Sequence, residues 1–203
     1  MTAATSELLD LLVVGAGPAG IALGAEAVEA GIEPGKILIL EKAEAHSFTI
    51  RKFYPEQKLV TANYKGLEAV CTGVLCIPDL SKGETLSYLD RAIASHWLEV
   101  RYRKAVHTIR KREGHFLVET TEEVFRAKTC VIAIGILGRP KKPDWAIPRS
   151  LSKHVTFDVT SVTLAGKDVL VVAAATRPRS TSSTSSRRGT GWPSPTAAPS
   201  STG

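Results

Sequence analysis

The chain has 203 residues, 43% hydrophobic and 23% charged, enough for one domain with a real core and too few for a large two-domain enzyme. No apolar run reaches the roughly 18–20 residues of a membrane helix, and no basic segment precedes the first apolar run as in a signal peptide, so no membrane partner is expected. The formal charge of +6 invites a nucleic-acid partner, yet residues 1–172 carry 22 Lys/Arg against 20 Asp/Glu, and the remaining basicity sits in four tail arginines.

In chain order, Leu8–Val14 is an apolar run of buried-strand type with Asp10 near its start. Pro18–Ala30 is Ala-rich and helical, with Gly31 placed as a C-terminal stop. Lys36–Leu40 is a second buried strand, and residues 43–80, with Pro55 and Pro78, are irregular. Thr85–His96 is a helix whose Leu86, Leu89, Ile93 and Trp97 share one face. Strand pieces follow at Val100–Ile109, Phe116–Thr121 and Val124–Ala127, then a short buried strand, Cys130–Ile134, running into Gly135. Lys167–Val172 repeats the first strand pattern. From Ala174 on, 21 of 30 residues are Ser, Thr, Pro or Gly. That composition cannot offset its ordering entropy, so residues 173–203 are expected to be a disordered tail.

Gly15-Ala16-Gly17-Pro18-Ala19-Gly20 fits GxGxxG between a strand and a helix, and Glu41 ends the next strand 21 residues after Gly20. This is the layout of a dinucleotide-binding βαβ unit. Gly15 permits the tight turn, and Gly17 lets the backbone approach a pyrophosphate. Gly20 lets the helix pack on the strand, and the helix N-terminus, opened by Pro18 and Ala19, offers its unpaired N–H groups to the phosphates, Pro18 itself having none. Glu41, with Lys42 beside it, is placed at the adenosine ribose, where a carboxylate disfavours a 2′-phosphate. The turn alone leaves FAD and NAD open.

The order of elements, βαβ, irregular insert, helix, antiparallel stretch, then Thr129-Cys130-Val131-Ile132-Ala133-Ile134-Gly135, resembles the flavoproteins with two dinucleotide-binding domains, of the thioredoxin-reductase-like and flavin-containing-monooxygenase-like kinds. Ile134 stands where that family has Thr. The resemblance implies an α/β, Rossmann-like FAD-binding domain over 1–172, with a parallel sheet and a three-stranded antiparallel meander. It places Val106 at the adenine and Gly135 at the second FAD motif. Gly138-Arg139-Pro140-Lys141-Lys142-Pro143 resembles the crossing to an NADPH domain, which 167–172 would begin.

In such proteins that strand runs into a second Gly-rich turn, but here Ala173-Ala174-Ala175-Thr176-Arg177-Pro178 follows. Encoded as GCG GCG GCG ACT CGG CCT CGG AGT after a G, residues 173–180 read one base earlier as Gly-Gly-Gly-Asp-Ser-Ala-Ser-Glu. The third bases are free choices, while the first two are fixed by the protein at the Ala, Thr and Pro positions. Residues from about 173 are therefore expected to be a frameshift product.

The parent is expected to be an FAD-dependent, NAD(P)H-linked oxidoreductase, disulfide-reductase-like or monooxygenase-like, with a redox partner or small-molecule substrate left unidentified. This chain would keep the FAD end, lack the NADPH site and not turn over. The alternative is a non-catalytic dinucleotide-binding module whose tail engages a partner.

No catalytic residue is assigned. Cys71 and Cys76 have the C-x4-C spacing of a redox disulfide, but lie 56 residues after Gly15 at their start and without Gly-rich flanks, which favours two ordinary thiols. Cys130 reads as core. Three cysteines form no disulfide framework, so a reducing, cytoplasmic setting is expected. The five histidines, His46, His96, His107, His115 and His154, lack metal-ligand spacing and read as surface or packing residues. Arg177, Arg179, Arg187 and Arg188 lack the aromatic interleaving of a nucleic-acid reader.

Overall fold

A computed structural model of the chain describes residues 4–61, 70–136, 146–158 and 162–172. Strand β1 (Ala4–Val14) leads to helix α1 (Pro18–Glu29), a 3-10 turn at Pro34–Lys36 and strand β2 (Ile37–Leu40). Helices α2 (Phe48–Phe53) and α3 (Lys82–Ser95) precede β3 (Glu99–Arg101). Strands β4 (Val106–Arg112), β5 (His115–Thr120) and β6 (Val124–Ile132) follow. One six-stranded sheet holds them in the order β3-β2-β1-β6-β5-β4. β1 pairs in parallel with β2 and β6, and β2 with β3. The β4–β5 and β5–β6 pairs are antiparallel. The fold is thus α/β and Rossmann-like, with the meander carried on the same sheet.

The central strands are apolar at consecutive positions because both faces are covered. Leu11, Val13, Ile37 and Ile39 cluster with Ile21 and Ala27 of α1 and with Leu89 and Ala92 of α3. The alternate residues Leu12, Leu38 and Leu40 cluster with Val118, Phe125 and Ala127 of β5 and β6. Burial of each such Leu or Ile side chain contributes about 1.5–3 kcal/mol.

Helix α1 begins with Pro18 at its first position and ends before Gly31, whose φ of +93° suits a residue without a side chain. Gly24 brings α1 close to the sheet, since a Cβ there would meet Ile39 of β2 at 3.3 Å and Leu98, just before β3, at 3.1 Å. Helix α3 starts three residues earlier than Thr85. Ser81 and Glu84 form a capping box, with the Glu84 N–H donating to Ser81 Oγ and the Ser81 N–H donating to the Glu84 carboxylate.

The structure departs from the sequence expectations in several places. Val100–Ile109 is split between β3, in the parallel part, and β4, in the meander. The pieces at Val124–Ala127 and Cys130–Ile134 form a single strand, β6, whose first half pairs with β5 while its length runs beside β1. Trp97 is 78% exposed rather than on the α3 core face, because α3 ends at Ser95 and Trp97 turns left-handed (φ 48°), leaving Leu98 to enter the core. Helix α2 lies inside the stretch expected to be irregular; its six residues bury only Ile50, too little periodicity to read.

Ile132 and Ile134, expected in a buried strand, are 62% and 68% exposed, and Cys130 is half-buried rather than core. No strand forms at 167–172, where Leu170 is 88% exposed, since a buried strand needs neighbours and none of the described elements pairs with it. The expected crossing from Gly138 to Pro143 and the tail lie outside the described residues.

Candidate functional site

The Gly-rich turn sits where β1, β2 and β6 end side by side. Gly15 adopts φ +110°, and its N–H donates to the Leu40 carbonyl at 2.8 Å. A Cβ on Gly15 would stand 2.5 Å from the Ala133 carbonyl oxygen, so β6 approaches this turn too closely for any side chain. The Ala133 N–H donates to the Val14 carbonyl at 2.8 Å, which brings Ala133-Ile134-Gly135 against the turn. Gly135 has φ +68° and is exposed. A Cβ on Gly20 would lie 2.0 Å from the Gly15 carbonyl oxygen, which makes glycine obligatory where α1 meets β1.

Gly17 is different. A Cβ there would meet nothing within 4 Å, so the space above this residue is open. Helix α1 starts behind it with no side-chain cap and no acid in its first turn. Pro18 is half-buried and Ala19 exposed. The positive end of the helix dipole thus faces open space beside a bare backbone, an arrangement that takes an anion.

Glu41 is 7% exposed, and both its carboxylate oxygens hold backbone groups. Oε2 accepts from the Ala16 N–H at 2.9 Å and Oε1 from the Ala43 N–H at 2.8 Å. Glu41 therefore ties the end of β2 to the Gly-rich turn, and each oxygen keeps a lone pair for a hydroxyl. Lys42 beside it is exposed. The Lys104 N–H donates to the Glu41 carbonyl at 2.8 Å and the Arg103 N–H to the Ala43 carbonyl at 2.9 Å. These bonds bring the start of β4, and with it half-buried Val106, toward the end of β2.

A cluster with no local signature in the sequence lies behind this loop. His46 is 2% exposed; its Nδ1 lies 3.0 Å from Ser47 Oγ, and its Nε2 lies 2.9 Å from Asp90 Oδ1 and 2.8 Å from Arg51 Nη2. Arg51 Nε also donates to the His46 carbonyl at 2.8 Å. Burial pushes the imidazole below its usual pKa, opposed by the hydrogen bond to Asp90. Ser47 is left-handed (φ 54°) and its N–H donates to the Ala16 carbonyl at 2.8 Å. The cluster thus holds the 43–47 loop against the turn. Asp90 lies 44 residues downstream of His46, a separation that hides the pairing from any local pattern.

Cys71 and Cys76 are joined in a disulfide, with Cα atoms 5.3 Å apart, where the sequence favoured two thiols. Burial raises the Cys130 thiol pKa. Among the described residues no group of three or more His, Cys, Asp or Glu could hold a metal ion, and no helix is long and apolar enough to cross a membrane.

The family described as pyridine nucleotide-disulphide oxidoreductase matches residues 12–176. An uncharacterized oxidoreductase, CzcO, of Bacillus subtilis (strain 168) is 27% identical over 149 residues, covering 73% of this chain and 42% of its own length. A ferredoxin–NADP reductase of Lactococcus lactis subsp. lactis (strain IL1403) is 32% identical over 169 residues, covering 80% of this chain and 47% of its own. The chain therefore spans under half the length of these curated relatives. Among solved structures, a cyclohexanone monooxygenase mutant from Rhodococcus sp. Phi1 bound to NADP+ superposes with a TM-score of 0.52 at 24% identity, covering 68% of this chain and 28% of that one, a likeness of fold.

Proposed function

Since the chain belongs to the pyridine nucleotide-disulphide oxidoreductase family, we propose that it is the FAD-holding part of an NAD(P)H-linked flavoprotein oxidoreductase. One observation carries this reading: β6 delivers Ala133–Gly135 onto Gly15, beside an uncapped helix start and the open space at Gly17. The residues present fit the cofactor.

The α1 start would hold the pyrophosphate through the backbone N–H groups of Gly17, Ala19 and Gly20, while Pro18, which has no N–H, fixes the direction of the helix start. Glu41 would accept from a ribose hydroxyl with its remaining lone pairs, with Lys42 at the rim, and Val106 would border the adenine. Gly135 would line the flavin side of the turn. FAD, when bound, supplies the acceptance and release of hydride or single electrons. The chain's own part is to bind and orient: Glu41 fixes the turn before a ligand arrives, and its negative charge discourages a 2′-phosphate there.

Disulfide reduction and monooxygenation both belong to this reading, as does a cytoplasmic setting, where pyridine nucleotides are abundant. We propose further that 167–172 begins a second, NADPH-binding unit and that 173–203 is out of frame, so that this chain binds flavin without turnover. Support comes from the family match, which runs through 167–172 to residue 176, and from the exposed Val169, Leu170, Val171 and Val172, which suit a strand awaiting neighbours. The nucleotide sequence across codons 171–200 tests the frame: a scrambled or closed neighbouring frame overturns it.

The binding claim is tested by titrating the purified chain with FAD and following quenching of flavin fluorescence. Saturable one-to-one binding is expected, weakened by Gly17→Ala. Absence of saturable binding by the folded chain would overturn the proposal.

A further inference from the structure

An antiparallel bridge pairs Val60 with Leu80 just before α3. The Val60 N–H donates to the Leu80 carbonyl at 2.7 Å and the Leu80 N–H returns to Val60 at 3.2 Å. Residues 73–77, which precede Leu80, dock on the two helices of one sheet face. The Val74 N–H donates to Glu26 of α1, and the Cys76 N–H donates to the Tyr88 hydroxyl of α3 at 3.0 Å. Leu75 and Ile77 pack against the core cluster beneath. The backbone comes so near α1 that a Cβ on Gly73 would stand 2.5 Å from Glu26 Oε1.

The Cys71–Cys76 bridge spans this docked stretch. Cys71 is exposed and Cys76 half-buried, so solvent reaches the disulfide. It joins no two secondary-structure elements; it only closes a small loop on itself. Glu26 lies eight residues into α1 from Pro18, roughly 12 Å along the helix axis from the Gly-rich turn. The pair thus stands apart from the candidate nucleotide site.

We propose that Cys71–Cys76 is a thiol–disulfide exchange site, acting as a redox latch that keeps residues 73–77 seated on α1 and α3. An exposed disulfide closing a local loop is of the labile kind, and its opening releases a small unit rather than the whole fold. The reductant is a dithiol. Its thiolate attacks Sγ of Cys71, the more exposed partner, and Cys76 leaves as thiolate. The second thiol of the reductant then displaces the mixed disulfide. The S–S bond takes up two electrons and two protons, giving two cysteine thiols, and the reductant is oxidised to its own disulfide. With the ring open, residues 71–76 regain conformational freedom, opposed among the described residues by the Val74 and Cys76 hydrogen bonds and by the packing of Leu75 and Ile77.

The test uses the full chain in oxidised and reduced dithiothreitol, with maleimide labelling after denaturation and hydrogen exchange read by mass spectrometry. In the oxidised sample only Cys130 is expected to label; after reduction all three cysteines label. Exchange at the Val74 and Cys76 amides should rise by about tenfold on reduction, while that of α1 stays unchanged. Cys76→Ser without reductant should behave as reduced protein does. Labelling of Cys71 and Cys76 that persists in oxidised dithiothreitol overturns the proposal. Equal exchange in the two redox states, or a rise spread over the whole chain, also overturns it.

Discussion

The carbonyl oxygen of Ala133 stands 2.5 Å from where a Cβ on Gly15 would lie, so two segments 118 residues apart in sequence are fitted to each other without a side chain between them. The first Gly-rich turn and the second motif are one structure. Gly15 is fixed by contact as well as by its positive φ, and the same closeness limits what β6 can carry beyond Ile132.

Gly20 and Gly17 of the turn therefore respond in different ways when changed to alanine. Gly20→Ala places a methyl 2.0 Å from the Gly15 carbonyl oxygen and should unfold or strongly destabilise the domain. Gly17→Ala meets nothing and should leave the melting temperature near wild type. It should weaken FAD binding by about tenfold, some 1.4 kcal/mol, by filling the space the pyrophosphate would use. Melting and flavin titration of both variants check this; unaltered affinity in Gly17→Ala would exclude that residue from the cradle.

Glu41→Gln tests the tie between β2 and the turn. An amide presents one oxygen and one NH2 where two backbone N–H groups now donate, so either the Ala16 or the Ala43 donor loses its acceptor. The expected cost is about 1–3 kcal/mol of unfolding free energy. Denaturant unfolding measures it, and a variant as stable as wild type would sink the assignment.

Ser81→Ala separates stability from binding. It removes the acceptor for the Glu84 N–H at the start of α3, far in sequence from the turn, and should cost about 1 kcal/mol. FAD affinity should not change. A parallel loss of affinity would mean that α3 helps shape the site.

Acid should loosen the loop behind the turn. Burial keeps the folded His46 pKa below 6.5, against the opposing influence of Asp90 and Glu41 and with Arg51 adding to the lowering. Tyr102, whose own pKa is raised chiefly by burial, also meets this cluster. Below pH 6.5 the unfolded chain takes up a proton that the folded imidazole resists. The stability held by neutral His46 is therefore complete above that pH and is lost as pH falls toward the folded value. Wild type should show a steeper fall in melting temperature just below this pH than His46→Gln. Parallel curves would exclude His46 as the titrating group.

Much of the frame was legible in local pattern. Pro18 and Gly31 bracket α1, and the consecutive apolar residues of Ile37–Leu40 announce a strand covered on both faces. Trp97 misled because helical spacing says which face a residue would occupy, not where the helix stops. Ser81 and Glu84 carry a readable capping signature that marks the true start of α3.

By itself the sequence determined the βαβ order, the identity of the turn and the acid at Glu41, because these depend on short-range spacing and on backbone freedom at single glycines. Only the tertiary structure decided that β6 is one strand serving both the parallel sheet and the meander, and that Ala133 closes on Gly15. Only it seats His46 between Ser47, Arg51 and Asp90, and bridges Cys71 to Cys76 over α1 and α3. Strand pairing and buried polar contacts join residues whose separation leaves no periodic trace, and their energies depend on partners the chain meets only once folded.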